Sequence, residues 1–172
     1  WMPLSRAHGK TPREPWQYGD MALKEVKKWI NFRHRLVPYL YHTACQTHQS
    51  GIPMIRPLVM EYPKDPIAKI QNLSYMLGDA LLISPGFDRD EYELYLPEGR
   101  WQDIESKEVY EGMTFVHIEN KAFADGGTSL RVFQKEGTSI PLFTQKEVLH
   151  VPAQLWKQED LEFMTFQKKD VD

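Results

Sequence analysis

The chain has 172 residues, 41% hydrophobic and 12% aromatic, enough apolar material to bury a sizeable core in one or two domains. A net charge of -3 gives no electrostatic footprint for nucleic acid or for an anionic membrane, so neutral polar partners are expected. No apolar run approaches the about 20 residues that span a bilayer, and no charged-then-apolar leader opens the chain.

The first residue is Trp1 rather than methionine, so the chain is expected to be a piece of something longer. Trp1-Met2-Pro3-Leu4 reads as the tail of an apolar strand. Ser5 to Gly19 follows with two prolines, two glycines, two arginines, His8, Trp16 and Tyr18. A strand, a polar loop and then a long helix place such a loop at the C-terminal face of a β/α sheet, where ligands bind. Imidazole can hydrogen-bond a sugar hydroxyl without carrying charge, which makes His8 the loop's candidate binding residue, although a lone loop histidine is more often structural. Trp16 and Tyr18 offer an apolar platform for a sugar face or, more commonly, a staple for the helix start.

Asp20 is the expected N-cap of that helix. Val26, Trp29, Ile30, Val37, Leu40, Tyr41, Ala44 and Cys45 recur at three- and four-residue spacing and mark a buried face, opposite a wet one at Lys24, Glu25, Lys27 and Lys28. Cys45, the single cysteine, is therefore expected in the core; it excludes an internal disulfide and leaves the redox compartment undecided. Pro38 lacks an amide proton and clashes with the preceding turn, so the helix must kink or break near Arg35 to Val37. His34, His42 and His48 are not spaced to converge on one metal, and no metal site or cofactor is expected.

Ile52 to Pro63 is too rich in proline for a helix and too apolar for a solvated loop, which predicts a short strand buried on both faces of a parallel sheet. Ile67 to Met76 reads as a short helix and Ala80 to Pro85 as a buried strand. From there the period becomes two. Glu91 to Leu96, Arg100 to Ile104, Val109-Tyr110, Thr114 to Ile118 and Ser129 to Phe133 predict an antiparallel sandwich over roughly residues 79 to 150. The remaining tail holds one possible strand, Leu161 to Phe166.

Ser5-Arg6-Ala7-His8-Gly9, Arg13-Glu14-Pro15-Trp16, Arg35 to Tyr41, Gly51 to Leu58, Tyr75 to Pro85 and Tyr95 to Asp103 resemble, in sequence and order, the C-terminal part of glycoside hydrolase family 31. The likeness covers roughly residues 1 to 143. In its last block Glu136-Gly137-Thr138-Ser139-Ile140-Pro141 stands in for the family's usual Ala-Gly-Ser-Ile-Ile-Pro. Members are mostly α-glucosidases and α-xylosidases, with a (β/α)8 barrel followed by β-sandwich domains. The resemblance implies an α+β multidomain fragment: residues 1–78 as the last β/α units of the barrel, 79–150 as the proximal antiparallel β-sandwich, and 151–172 as a tail.

It also implies that the substrate is an α-glycoside or oligosaccharide, and that the partner is the missing N-terminal part of the same enzyme. The family's two catalytic aspartates lie on strands before the Arg-x-His loop, so no catalytic residue is assigned in this chain. Glu14, Asp20, Glu61 and Asp79 read as loop, cap, strand-end and turn residues. By the resemblance His8 hydrogen-bonds the sugar being cleaved, Arg6 braces its loop, and Trp16 lies behind them as a weaker substrate-binding candidate. Two other classes compete: a carbohydrate-binding module presenting Tyr92, Tyr95 and Trp101, and a purely structural domain.

Overall fold

The computed structural model describes residues 1–86, 91–119, 130–144 and 153–168. A polar loop ending in a 3-10 turn at Pro15–Tyr18 leads into α1 (Asp20–Arg35) and α2 (Val37–Ser50). Leu36 separates the two helices with its side chain fully buried, and its amide still reaches Phe32 O at 3.0 Å. The break falls where Pro38 requires it, since a proline at the second position of a helix forfeits only an amide that would be unpaired anyway. Gly51 ends α2 at φ +74°, donating its amide to Thr47 O.

Among the described residues ten strands follow, with a short helical turn, α3 (Leu58–Glu61), after the first. They are β1 (Ile55–Pro57), β2 (Tyr75–Leu77), β3 (Leu81–Pro85), β4 (Glu91–Leu96), β5 (Arg100–Asp103), β6 (Val109–Glu111), β7 (Thr114–Glu119), β8 (Leu130–Lys135), β9 (Thr138–Phe143) and β10 (Leu161–Phe166). A six-stranded sheet has the order β1-β2-β3-β8-β5-β6, and β4 with β7 and β9 with β10 form two-stranded sheets. Every pairing among the described residues is antiparallel.

The six-stranded sheet is covered on both faces, and successive side chains of one strand enter different cores. Met76, Leu82 and Phe133 pack with Tyr92, Leu94, Tyr95 and Trp101. Their neighbours Leu77, Leu81, Ile83 and Val132 pack with Leu36, Tyr39 and Leu40 of the helix pair and with Ile140 and Leu142 of β9. This explains why β3 is apolar without alternation: both of its faces are interior. The C-terminal strand is tied down by Trp156, whose ring meets Phe143 at 4.9 Å and Tyr41 at 5.6 Å between centroids.

Several expectations need correction. The Ile52 to Pro63 segment contributes only three strand residues, at an edge, paired antiparallel with β2 rather than buried in a parallel sheet. The sheet therefore begins at Ile55. Residues expected to be helical from Ile67 to Met76 form a 3-10 turn, Ala68–Ile70, and then β2, because Asp65 closes a turn instead of starting a helix. Trp1 to Leu4 is not a strand; Arg33 fixes the carbonyls of Met2 and Pro3, and the Trp1 ring stacks 5.3 Å from Trp29 and 5.1 Å from Phe32. Gly19, not Asp20, precedes the first turn of α1, and Asp20 is its first helical residue with no side-chain cap at that end.

Cys45 is exposed, as are Val26, Ile30, Tyr41 and Ala44, so only part of the predicted stripe is covered. Periodicity identifies an apolar face; burial depends on what lies against it. Ser129, at the start of one expected strand, lies outside the described residues.

Candidate active-site loop

Residues 5–14 run as an irregular, exposed loop before the 3-10 turn and α1. The Arg13 side chain approaches Gly9 closely: a Cβ there would sit 2.3 Å from its Nε, a clash the exposed arginine can relieve by moving. The Arg13 side chain thus crosses the loop over Gly9, and a cavity of about 260 Å³ forms between Ala7, Gly9, Arg13 and Glu14. Arg6, His8 and Trp16 are all exposed and are not among that cavity's walls. Trp16 is 61% and Tyr18 63% exposed, so neither acts as a staple inside this chain. The loop presents its chemistry outward.

Behind the loop the helix pair is bolted to the sandwich. Tyr39 Oη donates to Leu77 O at 2.7 Å and accepts from the Ala80 amide at 3.1 Å. Burial pushes its pKa up to about 12, so the phenol keeps its proton. Arg56, with a side chain 7% exposed, lies between Asp79 and Glu61. Asp79 accepts a hydrogen bond from it at 2.5 Å, whereas the Glu61 oxygen is 2.6 Å from Nε without being aligned on its N–H. This network was not anticipated.

The acidic residues set aside earlier have visible structural work at Glu61 and Asp79, on Arg56. Among the described residues no group of three or more His, Cys, Asp or Glu side chains could hold a metal ion, and no helix is long and apolar enough to cross a membrane. The sandwich aromatics do not offer a sugar platform: Tyr92, Tyr95 and Trp101 are 6%, 1% and 0% exposed, and the Trp101 indole donates inward to Pro97 O.

Residues 1–43 match the model of the glycosyl hydrolases family 31 TIM-barrel domain, and residues 51–146 match that of the glycosyl hydrolase family 31 C-terminal domain. The chain belongs to glycosyl hydrolase family 31. It is similar to a 1,6-alpha-glucosyltransferase of Sporosarcina globispora, 34% identical over 84% of this chain and 11% of that protein. Neutral alpha-glucosidase AB of Homo sapiens is 32% identical over 82% of this chain and 15% of its own length. A cycloalternan-forming enzyme from Listeria monocytogenes, solved with a pentasaccharide substrate, has a TM-score of 0.74 and 34% identity over 90% of this chain and 15% of that one. The chain thus spans a small C-terminal share of these family 31 relatives: a TIM-barrel fragment followed by a mostly antiparallel β domain.

Proposed function

We propose that the chain is part of a retaining α-glycosidase that releases terminal α-linked sugars from oligosaccharides. Its share of the work is one wall of the sugar site and the sandwich that buttresses the barrel. His8 hydrogen-bonds hydroxyls of the sugar being cleaved, and Arg6 and Trp16 support the same wall. The observation that carries this reading is that the Arg6-to-His8 loop falls inside the stretch matched by the family's TIM-barrel domain and presents its side chains outward from the helix pair.

A retaining mechanism needs a nucleophile and an acid/base carboxyl about 5 to 5.5 Å apart. In this reading both come from a preceding part of the enzyme, which is the partner of this chain. Supporting it, Glu61 and Asp79 are engaged on Arg56, and Asp20 opens α1. Residues 1–172 expressed alone are therefore expected to leave aryl α-glucosides intact. Steady turnover with retention of configuration by this chain would overturn the division of labour.

A further inference from the structure

A cavity of about 440 Å³ opens where the segment after α3 meets two turns of the sandwich. Each wall is fixed. Lys135 Nζ donates to Tyr62 Oη at 3.0 Å and lies 5.1 Å from the centre of its ring. Asp65 accepts from Tyr95 Oη at 2.6 Å and from the amides of Ile67 and Ala68, which sets the course of Pro63 to Pro66. The Gly112 amide donates to Gly99 O at 2.7 Å, and a Cβ at Gly112 would lie 2.1 Å from Pro97 O, so the β4–β5 and β6–β7 turns are locked together. That lock brings Glu98 and Met113 to the cavity. Met113 takes φ +57° while 69% exposed, a conformation that disfavours a non-glycine residue and that no burial of its side chain repays.

The chemistry of the walls selects the ligand. Tyr62, Pro63, Pro66 and Met113 give apolar surface, while Glu98 accepts and Lys64 donates. Tyr62 Oη is the acceptor in its bond from Lys135, so its own proton is left to donate outward. Burial raises the Tyr62 pKa, which keeps that proton in place. The other two carboxylates at the cavity, Glu61 and Asp65, already serve Arg56 and Tyr95, leaving Glu98 alone, too few for a divalent cation. Three carboxylates around one mouth also disfavour an anion. A neutral ring with apolar faces and a hydroxyl rim fits, and the volume lies within the about 300 to 1,000 Å³ of small-molecule sites.

We propose that this cavity is a second carbohydrate site, distinct from the Arg6-to-His8 loop, holding a pyranose unit of an α-glucan. The choice of an α-glucan rests on the glycosidase reading; the site itself does not.

The probe is maltotriose, titrated calorimetrically into the 172-residue chain. Saturable binding is expected, weakened about tenfold by Tyr62→Phe, the equivalent of about 1.4 kcal/mol, and to a similar extent by Glu98→Gln. Both are mild changes that keep the shape of the side chain, which for Tyr62 includes the ring packed against the core, and near-ultraviolet circular dichroism checks that the fold is kept. His8→Ala is expected to leave this binding unchanged. Absence of binding, or binding indifferent to Tyr62 and Glu98, overturns the proposal; binding lost with His8→Ala puts the sugar on the loop and overturns it too. Failure of the glycosidase reading shows separately, as absence of α-glycoside hydrolysis by an enzyme that contains this chain.

Discussion

The hydroxyl of Tyr39 occupies the place where a side chain at position 78 would begin: a Cβ on Gly78 would be 2.3 Å from Tyr39 Oη and 2.9 Å from Thr43 Oγ1. Gly78 also holds φ +60°. Gly78→Ala therefore combines a left-handed alanine, costing about 1–2 kcal/mol, with overpacking of about 1–3 kcal/mol. Tyr39→Phe strands Leu77 O and the Ala80 amide, at about 1–3 kcal/mol. Because both changes act on one contact, thermal melts of the two single variants and the double variant should be non-additive. Additive losses would mean that the clamp is not a unit.

Arg56 allows a comparison between its two partners. Glu61 is 28% exposed and Asp79 69%, so water screens the Asp79 interaction far more. Asp79→Ala is expected to cost under about 1 kcal/mol, the range of exposed pairs. Arg56→Ala and Glu61→Gln should cost more, because each breaks a largely desolvated arrangement. Chemical denaturation of the three variants checks the ranking; Asp79 proving the most costly would reverse it.

Asp65 supplies a pH prediction. Burial acts to raise its pKa, but the hydrogen bonds from Tyr95 Oη and from the amides of Ala68 and Ile67 outweigh it and hold the carboxyl below its ordinary value. A folded pKa below the unfolded one contributes stability in full above the unfolded value and loses it as pH falls through the folded one. The loss should set in below roughly pH 4. Asp65→Asn should be less stable at neutral pH and lose less on acidification, read from melting midpoints across that window. Parallel pH profiles for the two proteins would exclude this contribution.

Most strands from Leu81 onward were legible because turn residues such as Pro97-Glu98-Gly99 frame runs of period two, and because apolar Leu81 to Ile83 has interior on both sides; β9 (Thr138–Phe143) was not expected as a strand. The helix break was legible because Pro38 acts through local sterics alone. What failed depended on partners distant in the chain. β2 has only three residues, too few to show a period, and it is set by pairing with Leu81 to Ile83. Arg56 pairs with an aspartate 23 positions away, which no local pattern announces. In the loop, Arg-x-His marks a resemblance and not a geometry, so the crossing of Arg13 over Gly9 emerged only from the structure.

Exposed apolar side chains on the helix pair lead to a prediction about solution behaviour. Met21, Ile30 and Tyr41 are 45%, 45% and 50% exposed, and Val26 is 37% exposed. Val26 and Ile30, four residues apart, share one side of α1, and exposed apolar surface there favours association. The 172-residue chain should self-associate in a concentration-dependent way by light scattering, and Ile30→Lys should reduce it. A monodisperse monomer with a cooperative melt would show that the face is tolerated in water.

The last prediction concerns His8 in an enzyme that contains this chain and hydrolyses α-glycosides. A hydrogen bond from its imidazole to a hydroxyl of the sugar strengthens as the ring flattens towards the oxocarbenium-like transition state, so its loss weighs more there than in the ground state. His8→Ala removes a bond worth about 0.5 to 1.5 kcal/mol, with about 1 to 3 kcal/mol more where the hydroxyl is left unsatisfied. The expected outcome is a fall in kcat/KM on the order of ten- to a thousand-fold. The melting temperature should hardly move, because His8 is exposed and nothing in the core depends on it. A histidine that merely shapes the loop gives the opposite pattern, lowering the midpoint while the surviving folded enzyme keeps its kinetics. Measuring both quantities on one preparation separates the two, and unchanged kcat/KM with a depressed midpoint would remove His8 from the sugar site.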